Sequence, residues 1–139
     1  LGPGRSVSIN GKTVIAGNHL KKPGYIEWDG RSIVLHPEKK RVPLSLSNFT
    51  PEERALINST SVNASAYSPV ERKIKKQIEH TAFESLLQRI YQSRNDTYLV
   101  VMVRPSGFDT FLTLRNYLLK KGVDVGYDPI SQEWNLEVT

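Results

Sequence analysis

The stretch Thr97-Tyr-Leu-Val-Val-Met-Val-Arg104, continuing through Pro105-Ser-Gly-Phe-Asp109 to Lys120-Lys121-Gly122, decides the fold. Thr97 to Val103 is an unbroken apolar and β-branched run, which predicts a strand covered on both faces and therefore central in its sheet. Arg104-Pro105 stops it. Ser106, with Asp109 three residues on, reads as the cap of a helix whose N-terminus the carboxylate favours electrostatically. Phe108, Phe111, Leu112, Leu114, Leu118 and Leu119 line that helix. Lys120-Lys121 suit its carbonyl end, and Gly122 suits a left-handed cap. Val123 and Val125 then begin a strand that Gly126-Tyr127-Asp128-Pro129 is expected to turn, with Glu133 to Val138 alternating as its partner. The expectation is a β–α–β unit from Thr97 to Thr139.

Upstream, the periodicity predicts a long helix from Pro69 to Ser93. Val70, Ile74, Ile78, Ala82, Leu86 and Ile90 recur every four residues, and the drift of that stripe allows a bend near His80-Thr81. Ser68-Pro69-Val70-Glu71 reads as its cap. The Ser- and Asn-rich stretch from Asn58 to Ser68 reads as a mobile loop. A short helix precedes it, opened by Thr50-Pro51 with Glu53 reaching back. Nearer the N-terminus, Asn10-Gly11 and Asp29-Gly30-Arg31 each sit between apolar or β-branched runs and predict two hairpins, while Val42, Leu44 and Leu46 suggest an edge segment. The fold class is thus α+β: one mixed sheet with two main helices packed on it. The organisation reads as a hairpin-rich basic part (7–49), a short helix and loop (50–68), and a helix–strand–helix–strand–strand part (69–139). Residues 1–6 read as an expression remnant, and the chain as a piece of something longer.

A chain of 139 residues can bury a core without a metal or disulfide staple. Having no cysteine, it has no thiolate ligand or nucleophile, and its redox compartment stays open. The longest apolar run, Tyr98 to Val103, is far short of the roughly 20 residues that cross a bilayer. The net charge is +5, and all of the excess lies within the first 50 residues. The clusters there are Lys21-Lys22 and Lys39-Lys40-Arg41, a basic surface that either stays solvated or meets an anionic partner.

Chemistry-bearing patterns are few. His19, His36 and His80 have no partner at metal or triad spacing, and paired zinc ligands are missing. No Gly-rich phosphate loop is present, so no catalytic residue, metal or cofactor is assigned. Tyr25 and Trp28 beside the basic loops raise a nucleic-acid reading, in which bases would stack next to cations. The segment from Arg104 through Ser106 and Gly107 to Asp109 either gathers a guanidinium, backbone N–H groups and a helix dipole around an anion, or simply holds a strand-to-helix junction together.

The block from Tyr98 to Trp134, including Arg104-Pro-Ser-Gly-Phe-Asp-Thr-Phe and Gly122-Val-Asp-Val-Gly-Tyr-Asp-Pro129, resembles the C-terminal segment of an uncharacterised protein family of planctomycete-type bacteria. More distantly, the order of hairpin, helix, strand, capped helix and strand is similar to the periplasmic domain of the ExbD/TolR biopolymer-transport family. That resemblance implies a non-enzymatic, often dimeric, extracytoplasmic domain joined to an upstream membrane helix, which this sequence does not contain. The leading expectation is an interaction module with a protein partner or a second copy of itself. The alternative is a basic nucleic-acid-binding domain, and a hydrolase is a distant third.

Overall fold

A computed structural model describes residues 6–9, 12–15, 21–58 and 64–138, with side chains over 21–57 and 68–138. In chain order the elements are β1 (Ser6–Ile9), β2 (Lys12–Ile15), β3 (Lys22–Trp28), β4 (Ser32–Leu35), β5 (Lys40–Pro43), α1 (Pro51–Asn58), α2 (Ala64–Ile78), α3 (Ala82–Gln92), β6 (Thr97–Val103), a single 3-10 turn (Pro105–Gly107), α4 (Phe108–Lys120), β7 (Val125–Pro129) and β8 (Leu136–Val138). They form one α+β domain. The main sheet runs β5-β4-β3-β6-β7 and a small one β2-β1-β8. β3, β6 and β7 are parallel, while β4 pairs antiparallel with β3 and β5 antiparallel with β4.

The unbroken apolar run of β6 is explained by its place between two layers. Leu99, Val101 and Val103 join Ile26 and Trp28 of β3 in the core beneath the helices. Val100 and Met102 point the other way with Tyr25, under Ile130, Leu136 and Val138 of the C-terminal segment. A strand buried on both faces has no polar face to alternate with, which is why its sequence reads as continuous. α1 starts as predicted: Thr50 N donates to Glu53 Oε1 at 2.9 Å, and Glu53 N to Thr50 Oγ1 at 3.2 Å. Both hairpins form, the turn at Asn10-Gly11 lying outside the described residues.

Several expectations are corrected. The helix from Pro69 to Ser93 is two helices, not one. His80 takes φ 64°, and Thr81 caps α3 by accepting from Glu84 N at 3.4 Å. The Asn58 to Ser68 loop is partly helix, since α2 begins at Ala64 and carries Pro69 inside it. Ala64, Ser65 and Ala66 have little to bury, so periodicity does not register them. The cap assigned to Ser106 is not made: Gly107 is the N-cap residue of α4, with no side-chain cap bond. Gly126 to Pro129 continues a strand instead of turning, because it pairs with β6 throughout. The alternating end pairs with β1 (Val7 opposite Val138) and not with β7. β7 therefore ends the main sheet, its outer edge unpaired among the described residues.

Candidate interaction surface

The turn between β3 and β4 and the junction between β6 and α4 are built against each other. Gly30, at φ 94°, leaves no room for a Cβ against the Ser106 carbonyl. A Cβ on Gly107 would lie 2.6 Å from Trp28 Cδ1 and 2.9 Å from the Trp28 carbonyl oxygen. Ser106 Oγ donates to the Asp29 carbonyl at 2.5 Å, and Trp28 Nε1 donates to Thr110 Oγ1 at 3.1 Å. This contact fixes where α4 begins.

Arg104 of the junction is engaged on all sides. Its Nε and Nη2 donate to Glu27 Oε1 at 2.9 and 2.6 Å, and its Nη1 donates to the carbonyls of Ser131 and Gln132 at 2.9 and 3.1 Å. The other Glu27 oxygen lies 2.5 Å from His36 Nε2. Burial pushes the Glu27 carboxyl up, but the hydrogen bonds from His36 and Arg104 outweigh it and hold it below the ordinary carboxylate range. An ionised carboxylate only accepts, so His36 Nε2 donates to it. The Nδ1 of the same ring is buried and has no partner among the described residues. The group ties the C-terminal segment to the sheet. Sequence reading missed it because Glu27 and His36 meet diagonally across a hairpin, a spacing that no linear motif encodes.

Ser106 and Gly107 are thus brought together with Arg104 around a packed turn. Asp109 lies in the first turn of α4, exposed. Of the basic residues, Lys21 and Lys22 at the start of β3 and Lys39 and Lys40 at the β4–β5 turn share one end of the sheet, whereas Arg41 lies within β5 and reaches the β3–β4 turn. Lys21 pairs with Asp124, Lys39 with Glu137 at 2.5 Å, and Arg41 with Asp29 at 3.1 Å. Lys22 and Lys40 are exposed. Tyr25 and Trp28 are core residues, 2% and 0% exposed, so neither offers a face to a base. Further cations stand on α2, where Arg72, Lys75 and Lys76 are exposed with no salt bridge among the described residues.

The apolar surface is concentrated elsewhere. α4 buries Leu114, Tyr117 and Leu118 but leaves Phe108 50%, Leu112 39% and Leu119 42% exposed, next to Tyr127 of β7 at 60%. Phe108, Phe111, Leu112 and Arg115 follow one another at helical spacing on a single stripe. Together with Val103, Tyr127 and Pro129 they line a cleft of about 500 Å³. The Phe111 and Tyr127 rings lie 5.2 Å apart at 48°, a tilted aromatic pair forming its floor. No protein-family model, curated protein or solved structure matches the chain. In the sequence pattern Phe108, Leu112 and Leu119 line the helix, yet in the fold they face out; the signal for this is the width of the apolar arc, which exceeds what one sheet can cover.

Among the described residues no three His, Asp or Glu side chains gather as a metal site would require, and no helix is long and apolar enough to cross a membrane.

Proposed function

We propose that this domain is a non-catalytic protein-interaction module that docks its partner on the α4–β7 face. The observation that carries the proposal is the exposed apolar stripe of α4 lying beside an unpaired strand edge. Contiguous exposed apolar surface rimmed by polar groups marks interaction sites in folded domains, and free strand edges are usually blunted unless they are used. On the sequence resemblance to the ExbD/TolR family alone, we extend the proposal to an extracytoplasmic setting. The test is the Leu112→Glu variant, whose side chain is already partly in water. It should keep the wild-type melting temperature and lose any contact, with itself or with another protein, that crosslinking detects for the wild type. A contact that survives Leu112→Glu sinks the reading.

A second reading, binding of nucleic acid, is favoured by one observation, the three exposed cations Arg72, Lys75 and Lys76 gathered on α2. It predicts oligonucleotide binding that weakens steeply with salt and falls when these three are replaced by glutamine.

A further inference from the structure

We propose that the cleft between α4 and β7 accepts an extended peptide as an added strand on β7, and that it selects an apolar side chain with a carboxylate two residues away. This deepens the interaction-module reading and rests on it.

Three features of the molecule converge on that ligand. The first is the edge itself. Leu99 N donates to Asp124 O and Ile130 N donates to Val103 O, both at 2.9 Å. These bonds fix the parallel ladder so that Gly126 and Asp128 turn their backbone groups to β6 while Val125 and Tyr127 turn an N–H and a C=O outward. Pro129 adds an outward carbonyl but no donor. The second is the cleft. Val125, Tyr127 and Pro129 stand opposite Leu99, Val101 and Val103 and share their helix-side face. An added strand would therefore aim alternate side chains toward Phe108 and Leu112, which line the same cleft, as strand addition beside a helix does in known peptide-recognition modes. The third is Arg115, which lines the same cleft. It is exposed and has no salt bridge or hydrogen bond among the described residues.

The spacing follows from element geometry. Arg115 lies about 7.5 Å along the helix axis from the midpoint of Phe108 and Leu112 at 1.5 Å per residue. Side chains on one face of a strand repeat at about 6.6 Å. An apolar residue seated at Phe108 and Leu112 thus places the side chain two positions along within reach of the guanidinium, where a carboxylate is bound best. A second copy of this chain is the poorer occupant. Antiparallel self-pairing centred on Tyr127 would set Val125 opposite Pro129 of the other copy, and the Val125 carbonyl would then meet no donor.

The experiment uses fluorescence anisotropy with a fluorescein-labelled peptide of threonines carrying one phenylalanine and, two residues on, one aspartate. Saturable binding is expected. It should weaken about tenfold with Arg115→Gln, and about tenfold when the peptide's aspartate becomes asparagine, with no further loss when both changes are combined. A peptide N-methylated on the residues that face β7 should not bind at all. Absence of binding, or equal binding by Arg115→Gln, overturns the inference. Sedimentation velocity run in parallel separates the two levels. A dimer abolished by Leu112→Glu, with no peptide binding, would overturn the peptide while keeping the interaction module, whereas a monomer that binds no peptide and crosslinks to nothing would overturn both.

Discussion

Replacing Gly107 by alanine tests whether the β6–α4 junction is a packed joint or a capped turn. The new Cβ would sit 2.6 Å from Trp28 Cδ1, 2.9 Å from the Trp28 carbonyl oxygen and 3.0 Å from Gly30 N. None of these atoms can easily retreat. Trp28 is 0% exposed, its ring nitrogen is bonded to Thr110, and its carbonyl accepts from Arg104 N at 3.0 Å. Overpacking a filled site costs about 1–3 kcal/mol, and disturbing the Trp28–Thr110 hydrogen bond adds about 1 kcal/mol. The expected loss is therefore about 3 kcal/mol, or on the order of 10 °C in Tm for a chain of this size. Urea and thermal unfolding followed by circular dichroism would measure it. Were Ser106 the cap of α4, as the sequence pattern suggests, Gly107→Ala would be nearly neutral and Ser106→Ala would carry the cost, about 1 kcal/mol. A Gly107→Ala variant within about 0.5 kcal/mol of wild type refutes the packed joint.

Glu27→Gln should destabilise the domain at pH 7 by about 3–5 kcal/mol, because it leaves the Arg104 charge buried without its counter-ion; a urea midpoint close to wild type would contradict this. The folded Glu27 carboxyl lies below its ordinary value, so its contribution is fully present above about pH 4.5 and drains away as pH falls through the folded value. Urea midpoints taken between pH 7 and pH 3 should accordingly drop for wild type and change less for Glu27→Gln. Thr50→Ala removes one half of the reciprocal cap on α1 and should cost about 1 kcal/mol by chemical denaturation. His80→Gly should stabilise by up to about 1 kcal/mol, since glycine relaxes the positive φ there, whereas in an unbroken helix the same change would destabilise by about 1 kcal/mol; the sign of the measured change decides.

What the sequence disclosed was local and periodic. The β6–α4–β7 succession, the reciprocal cap at Thr50 and Glu53 and the two hairpins each rest on residues within a few positions of one another, and their chemistry survives folding unchanged. The break between α2 and α3 falls at His80-Thr81, where the drift of the four-residue apolar stripe allows a bend, and it is written locally as Thr81 followed by Glu84; the stripe running on across it is what makes two helices read as one. Partnership between distant segments was not legible. Nothing in Leu136 to Val138 says that its neighbour is β1 and not β7, because an alternating strand satisfies either. The Glu27–His36–Arg104 group and the outward stripe on α4 depend likewise on which surfaces meet, and single positions do not record that. Arg104 to Asp109 stood out as demanding chemistry for a reason the fold makes concrete: Gly107 and Arg104 are there to seat one turn on another.

The parallel pairing of β3 with β6 also sets a kinetic constraint. Glu27 and Arg104, bonded across that seam, are 77 positions apart in the chain, and α1, α2 and α3 lie between them. The β3–β4–β5 meander can assemble early from neighbouring residues, but the sheet closes only when β6 arrives, and loop-closure entropy must be met before those contacts repay it. Substitutions that trim Ile26 or Val101 at the seam should therefore slow refolding, while equivalent trims in β5 should mainly speed unfolding. Until that closure, the apolar edge of β3 stands open, and this is the interval in which the chain is most exposed to pairing with the wrong strand.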